Sequence, residues 1–293
     1  MIDFSTLQGL TIPEGVVTQI TDASGRVLWA AGGGKVILEV EKITSDTYAG
    51  ETTYTGEQFI LLDIYPTTNG TVNVTYGGLT KTITDTSGAE KPNAQRVYFG
   101  TFNGVSDSVA TPASGELTIE GKYYALGCSV YEKSSKDLVP QICFCVTRIE
   151  NFGKISIIPD YAFGSPTGGT PCQLGDALEI PSGVKSIGFE AFYNCGIKTL
   201  TIGKNVEFIG YLAFGEYLTT IYTPVMKTVK ILATTPPEVG TSTGDGEILQ
   251  RPFTTKESND FVVEQIIVPK GSGNAYKTAA GWSEYADLIV EAS

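Results

Sequence analysis

Between Leu178 and Thr220 the apolar positions of the chain are written twice. Leu178, Ile180, Val184, Ile187 and Ala191-Phe192 recur as Leu200, Ile202, Val206, Ile209 and Ala213-Phe214, with an offset of 22 residues at every position. Glycine repeats with them, as Gly188 and Gly210. One such unit is too short to bury its own apolar face, whereas stacked units bury it against each other as a continuous internal ladder. A less regular unit precedes the pair: Ile149, Ile155, Ile158 and Ala162-Phe163 lie 29 residues before Leu178, Val184, Ile187 and Ala191-Phe192. The extra residues fall in the Gly- and Pro-rich stretch 164–175, which reads as a bulging loop. Downstream, Val229 to Leu232 and Ile266 to Val268 read as further ladder strands, and Phe253 as the next Phe position. The stretch between Pro237 and Val262 is long for a connection and reads as a displayed or disordered loop. Ser272 then predicts an N-cap for a helix through Ala275 to Ala280, stopped by Gly281. Trp282, Tyr285, Leu288 and Ile289 are placed to cover the last coil.

The first half has the other period. Short runs at Val36–Val40, Phe59–Tyr65, Thr71–Tyr76, Leu79–Thr84, Arg96–Phe102, Glu116–Glu120 and Tyr123–Tyr131 alternate apolar and polar residues. Turn residues such as Asn69-Gly70, Gly77-Gly78 and Ser87-Gly88 separate them. Strands at this spacing without a convincing helix predict a β-sandwich like the immunoglobulin fold, although the Cys-Trp-Cys signature of that family is missing. Before it, Val16–Ile20 and Arg26–Trp29 flank Asp22-Ala23-Ser24-Gly25 as a hairpin, followed by the flexible joint Gly32-Gly33-Gly34. Two strands alone are marginal in water. Val17, Ile20, Leu28 and Trp29 therefore belong either against a neighbouring part of the chain or against a larger assembly, as an attachment anchor.

The expected fold is mainly β: an N-terminal hairpin and Gly linker over residues 1–34, an immunoglobulin-like sandwich over 35–137, and a short leucine-rich-repeat solenoid with a C-terminal helical cap over 138–293. A period in the twenties opened by Leu-x-Ile is the mark of such repeats.

Composition narrows the chemistry. The chain has 293 residues, a net charge of −12 and no histidine. The charge leaves no excess Lys or Arg to displace counterions from nucleic acid, and none to dock on anionic lipid. The missing histidine removes Ser-His-Asp and Cys-His catalysis and His-ligated zinc. The five cysteines, Cys128, Cys143, Cys145, Cys172 and Cys195, are too sparse and of odd number for a disulfide framework. They read as buried thiols, with Cys143 and Cys145 on one face of a strand. The acidic Gly244-Asp245-Gly246-Glu247 lacks the spacing of a calcium loop. No metal and no cofactor is assigned. The N-terminal residues carry no basic flank or apolar run of a secretory signal, and no stretch approaches a membrane span.

The second half resembles the BspA-like leucine-rich repeats of gut and oral bacteria and their phages. The likeness rests on Leu178-Glu-Ile-Pro-Ser-Gly-Val-Lys-Ser-Ile-Gly-Phe-Glu-Ala-Phe-Tyr-Asn-Cys195, on its echo at Leu200 to Gly215, and on Ala233-Thr-Thr-Pro-Pro237. It is reinforced by Ile267-Val-Pro269, and by Ala275-Tyr-Lys277 with Gly281-Trp282. The resemblance places Cys195 at the small rung position of the repeat. The opening, from Gly9 through Trp29, and residues 97–120 look like parts of tail-associated structural proteins of phages infecting Gram-positive gut bacteria.

That second resemblance implies a virion tail-tip or fibre protein, made in the host cytoplasm. Its coils would bind a glycan or protein of the host surface, and its first residues would hold other virion proteins. Fibre proteins are commonly trimers, so the resemblance also implies a homotrimer. The alternative is a bacterial surface adhesin of the BspA-like type. In both readings the expected contact residues are Phe189, Glu190, Tyr193, Tyr211, Glu216 and Tyr217, aromatic and acidic side chains beside the Ala-Phe positions that suit stacking on sugars. A carboxylate-dependent glycan hydrolase would need a pair such as Asp176 with Glu179, or Glu190 with Glu216. Carboxylates on a solenoid surface are usually solvated charge, and the sequence is read as that of a non-enzyme.

Overall fold

A computed structural model describes residues 19–21, 27–30, 35–42, 59–90, 92–102, 105–127, 144–164, 174–216, 226–240, 242–244, 247–249, 251–254 and 261–293. The chain is mainly β. It divides into two contact units, Met1–Gly34 and Lys35–Ser293. In the first, Gln19–Thr21 pairs antiparallel with Val27–Ala30, setting Ile20 opposite Trp29. Leu28 lies in the second of these strands; Val17 lies outside the described residues.

In the second unit the three larger sheets are built from the two periods of the sequence. An antiparallel sheet of five strands runs in the order Phe144–Phe152, Val36–Lys42, Ser114–Gly121, Thr71–Tyr76, Leu79–Thr84. Alternation puts Val36, Leu38, Val40, Val72, Val74, Leu117 and Ile119 on its buried face. They share one apolar core with Leu62, Ile64 and Phe99 from Phe59–Pro66 and Gln95–Phe102 of a second sheet. On the other face Thr71 meets Thr84 at 3.1 Å and Thr75 meets Thr80 at 2.8 Å. Such cross-strand pairs hold a hairpin register.

The second sheet changes character midway. Val105–Ser106, Gln95–Phe102, Phe59–Pro66 and Tyr123–Gly127 pair antiparallel. Tyr123–Gly127 then pairs in parallel with Ile157–Ile158, and that strand is followed by Ser186–Ile187, Phe208–Ile209 and Glu238–Val239. One sheet thus runs from the first half of the chain into the repeats. Phe144–Phe152, with Ile149 inside it, is an edge strand of the antiparallel sheet and pairs with Val36–Lys42. The reason is that period-two alternation suits either partner, and the strand of residues 36–42 supplies one.

The third sheet is wholly parallel: Ala177–Ile180, Thr199–Ile202, Met226–Ile231, Val263–Val268 and Ile289–Glu291. Its register sets Leu178 beside Leu200, Leu200 beside Val229, Val229 beside Ile266 and Ile266 beside Ile289, all buried. The turns stack as well. Phe163, Phe192 and Phe214 donate their N–H to the carbonyls of Ala191, Ala213 and Pro252 at 2.7, 2.7 and 3.0 Å. Their rings form a column with Phe253: centroids are 5.2, 5.3 and 5.6 Å apart and ring planes differ by 9°, 3° and 17°. The spacing follows from the distance between parallel strands. Phe253 is the fourth Phe of the column, as its sequence predicts. The stretch read as a loop is partly regular, since Glu238–Val239 joins the parallel ladder and Ser242–Gly244 pairs with Glu247–Leu249.

Gly273–Thr278 forms the terminal helix, and Gly281 at φ 75° turns the chain after it. Ser272 makes no side-chain cap; its hydroxyl donates instead to the Pro269 carbonyl at 2.5 Å. The cap is tied down by polar atoms of aromatic residues. Trp282 donates from Nε1 to the Pro237 carbonyl at 2.7 Å, and Tyr276 from its hydroxyl to the Ala233 carbonyl at 2.8 Å. All three of Tyr276, Trp282 and Tyr285 are fully buried.

Close approach of successive turns explains the repeated glycine. A Cβ on Gly210 would lie 2.5 Å from the Gly188 carbonyl carbon, while one on Gly183 would find nothing nearer than 3.9 Å. Gly210→Ala is therefore expected to lower the unfolding free energy by about 1–3 kcal/mol, through forced backbone shifts. Gly183→Ala should change it by less than about 0.5 kcal/mol. Urea midpoints of the two variants compare them directly; equal midpoints would sink the explanation.

Candidate functional site

Four of the six residues expected to face outward beside the Ala-Phe turns are buried. Glu190, Tyr193, Tyr211 and Glu216 are 1%, 0%, 6% and 4% exposed. Phe189 is half-buried and Tyr217 lies outside the described residues. Phe189 packs with Tyr193, Tyr211 and Leu212 in a small apolar cluster of its own. Its ring sits between Tyr161, edge-to-face at 5.3 Å, and Tyr211, tilted at 5.6 Å. The physical cause is the tightness of the turn. Tyr161, Glu190 and Leu212, each preceding an Ala-Phe pair, take left-handed backbone at φ 59°, 48° and 52°. Each donates its N–H to the next coil, to the carbonyls of Phe189, Tyr211 and Arg251 at 2.8, 3.1 and 3.0 Å. Left-handed backbone is unfavourable for side chains other than glycine, and stacking on both sides imposes it here.

The carboxylates of the candidate acid–base pairs lie in contrasting surroundings. Asp176 binds Lys198 at 2.6 Å, and that ammonium holds its carboxyl below the usual carboxylate range. Burial pushes the Glu216 carboxyl up to about 7, opposed by an N–H bond from Gly196. Cys195 is buried, and its thiol donates to the Phe163 carbonyl at 3.3 Å. Cys145 lies in the strand Phe144–Phe152; Cys128, Cys143 and Cys172 fall outside the described residues.

What the repeats do display is the outer face of the parallel sheet. With Leu178, Leu200, Val229 and Ile266 turned inward, their neighbours alternate outward. One row runs Glu179, Thr201, Lys230, Ile267, Val290 across all five strands, each residue in register with the next. A second runs Ala177, Thr199, Thr228, Gln265. Glu179, Thr199, Lys230, Gln265 and Val290 are exposed, and Thr201, Thr228 and Ile267 are half-buried. Along the first row the surface passes from carboxylate through hydroxyl and ammonium to two aliphatic side chains. A rigid backbone sets their spacing, which is the condition for a precise binding surface. The signal for this face was present in the sequence: the middle residue of each Leu-x-Ile must point away from the two it separates.

Two salt bridges join successive coils at the coil offset, Asp176 with Lys198 at 2.6 Å beside this sheet and Lys185 with Glu207 at 3.2 Å beside the strands Ser186–Ile187 and Phe208–Ile209. Exposed pairs of this kind contribute little stability, but they favour the register that the apolar ladder sets.

Parallel coils with an inward Leu and Ile ladder and stacked Phe turns are the arrangement of leucine-rich repeats. Residues 139–232 match the BspA type leucine rich repeat region, in six copies. The match supports BspA-like repeats in this part of the chain and gives no support to the likeness with virion proteins. No curated protein matches the chain.

Proposed function

We propose that the protein is an adhesin-like surface binding protein whose BspA-type repeats present the outer face of the parallel sheet to a protein or glycan on another cell. The observation that carries this reading is the repeat match over residues 139–232, combined with an ordered, mixed-polarity face across five parallel strands. In this reading the coils form a short solenoid, and the two sheets of the first half act as an immunoglobulin-like spacer that holds it away from its support. Catalysis, metal, cofactor, nucleic acid and membrane insertion play no part in it.

A second reading keeps the virion assignment, in which the hairpin of Val17, Ile20, Leu28 and Trp29 anchors the chain, as a homotrimer, to other virion proteins. The observation favouring it is that Met1–Gly34 is a contact unit separate from the rest. In both readings the recognition surface is the same.

The test uses fluorescently labelled full-length protein on a panel of intact gut bacteria and of immobilised host matrix proteins. Saturable binding to at least one surface is expected. The double variant Thr201→Arg, Lys230→Glu should weaken it by at least about tenfold, roughly 1.4 kcal/mol, with an unchanged circular dichroism spectrum. Undiminished binding by that variant would move the contact away from the sheet. Binding to no surface on the panel would count against an adhesive role altogether.

A further inference from the structure

The position that carries Phe189 and Tyr211 in successive turns carries an acid in the turn before them. Tyr211 lies 22 residues after Phe189, and Phe189 lies 29 residues after Asp160. Asp160 is exposed, and its Oδ1 accepts the Phe189 N–H at 2.7 Å. The next coil makes room for this carboxylate, since a Cβ on Gly188 would lie 2.5 Å from the same oxygen. Tyr161 sets its ring edge-to-face on Phe189, with centroids 5.3 Å apart. The strands on the other side bring two more rings. Register sets Tyr65 opposite Ala125, and Ala125 opposite Ile157, which precedes Asp160 by three residues. Tyr65 and Tyr124 pack with centroids 5.8 Å apart, and the Tyr124 hydroxyl is held by the Pro92 carbonyl at 2.9 Å. Burial, then Asp63, Tyr124 and Asp160, push the Tyr65 hydroxyl above its ordinary range, so the Asp160 charge is felt at this ring.

Four half-buried rings beside one exposed carboxylate select a narrow class of ligand. Asp63 is taken by Arg96 at 3.1 Å, while among the described residues no Lys or Arg pairs with Asp160. Ring faces carry negative potential, so rings and carboxylate together attract a cation. A sugar fits less well: it lies flat on one ring or on a coplanar row, whereas the ring planes here differ by 57° and 70°. A primary ammonium is strongly hydrated and needs several acceptors, and one oxygen of Asp160 is already engaged. A trimethylammonium group needs only ring faces and a nearby negative charge. We propose that Tyr65, Tyr124, Asp160, Tyr161 and Phe189 form a binding site for the trimethylammonium group of a small solute.

The site lies where the second sheet passes from antiparallel to parallel pairing, and not on the parallel sheet whose outer rows carry the adhesive reading. Its parts can be separated by substitution. Asparagine at 160 keeps an oxygen for the Phe189 N–H and removes the charge. Leucine at 65 keeps the apolar volume and removes the ring face.

Titration of the full-length protein with choline, followed by calorimetry and by amide NMR, tests this. Saturable binding is expected, with shifts at the amides of Tyr161 and Phe189. The neutral tert-butyl analogue of choline, in which carbon replaces the nitrogen, should bind at least about tenfold more weakly. Asp160→Asn should weaken choline binding by about fivefold or more, and Tyr65→Leu by about threefold or more, with unchanged circular dichroism spectra. No choline binding would overturn the site, as would equal affinity for choline and its neutral analogue or undiminished binding by Asp160→Asn. Saturable binding of N-acetylglucosamine, or of phosphatidylcholine vesicles, without binding of choline would overturn it in favour of a sugar or a lipid headgroup. Should the variants not fold, the comparison of choline with its neutral analogue on the wild-type protein decides.

Discussion

Produced without residues 1–137, the repeat half is expected not to reach its native fold, whereas residues 35–293 should unfold in one cooperative transition. The reason lies in two junctions. Phe144–Phe152 owes its pairing to Val36–Lys42, in a register that runs from Phe144 opposite Lys42 to Phe152 opposite Val36. Ile157–Ile158 begins the parallel ladder only because Tyr123–Gly127 stands on its other side, with Ala125 opposite Ile157 and the Ser156 N–H bonded to the Tyr124 carbonyl at 3.2 Å. Cutting at 138 leaves two strand edges unpaired at the open end of the stack. It also uncovers Val146, Phe152, Ile155 and Ile158, now 4%, 5%, 2% and 1% exposed. Each such side chain loses about 1.5–3 kcal/mol of burial. The sum is comparable to the whole stability of an ordinary domain, about 5–15 kcal/mol. Circular dichroism melts and amide NMR spectra of residues 138–293 and 35–293 make the comparison. A dispersed spectrum and a cooperative melt for the shorter piece would mean that the repeats carry their own N-terminal cap. The consequence for function is practical: binding has to be assigned by substitutions in the intact chain, because a repeat-only piece would fail for structural reasons.

The part of the molecule most legible in the sequence is the part where one residue type has one place to go. Leu178, Ile180, Leu200 and Ile202 recur at the coil offset because each must meet its copy in the next coil. Phe253 could be found across an irregular stretch because only a large flat ring continues the Phe163–Phe192–Phe214 column. Trp282 and Tyr285 announced the cap because such large apolar surfaces at the end of a stack have no other use. Legibility failed where one pattern serves two partners, as in Phe144–Phe152, whose alternation fits a coil or an antiparallel edge equally. It failed again at Glu190 and Glu216. A Glu beside an aromatic residue is ordinarily solvated, and nothing local announces that the stacking of coils will force left-handed backbone at Glu190 and bury both carboxyls. The burial of the turn aromatics was hidden for a related reason. Aromatic residues drew attention to the turns, where they in fact pack on each other, while the outward residues of the sheet are of unremarkable type and gain meaning only as rows.

Phe214→Ala should be the most damaging single truncation in the stack, costing about 3–5 kcal/mol. Phe214 is 1% exposed and has a stacked ring on each side, Phe192 at 5.3 Å and Phe253 at 5.6 Å. Its removal opens a cavity between two coils whose backbones are tied together by the bonds from Phe192 to Ala213 and from Phe214 to Pro252. Those bonds keep the walls apart, so collapse can recover little of the lost contact, and the cost of such a truncation rises with the cavity that remains. The neighbouring Gly215 leaves no slack either, since the Thr254 carbonyl oxygen lies 2.7 Å from where its Cβ would be. Phe163→Ala is the matched comparison. Phe163 has a stacked partner on one side alone among the described rings, Phe192 at 5.2 Å. It begins the column, and it should cost less by about 1 kcal/mol or more. Urea unfolding of the two variants, with unchanged slope, gives both numbers. A larger loss for Phe163→Ala would mean that the column draws its stability from the junction with the antiparallel sheets and not from stacking between coils. The first prediction would then be explained by that junction alone. The expected order instead makes the repeat stack a chain of nearest-neighbour contacts, rigid enough along its length to hold the outward rows of the sheet at fixed spacing.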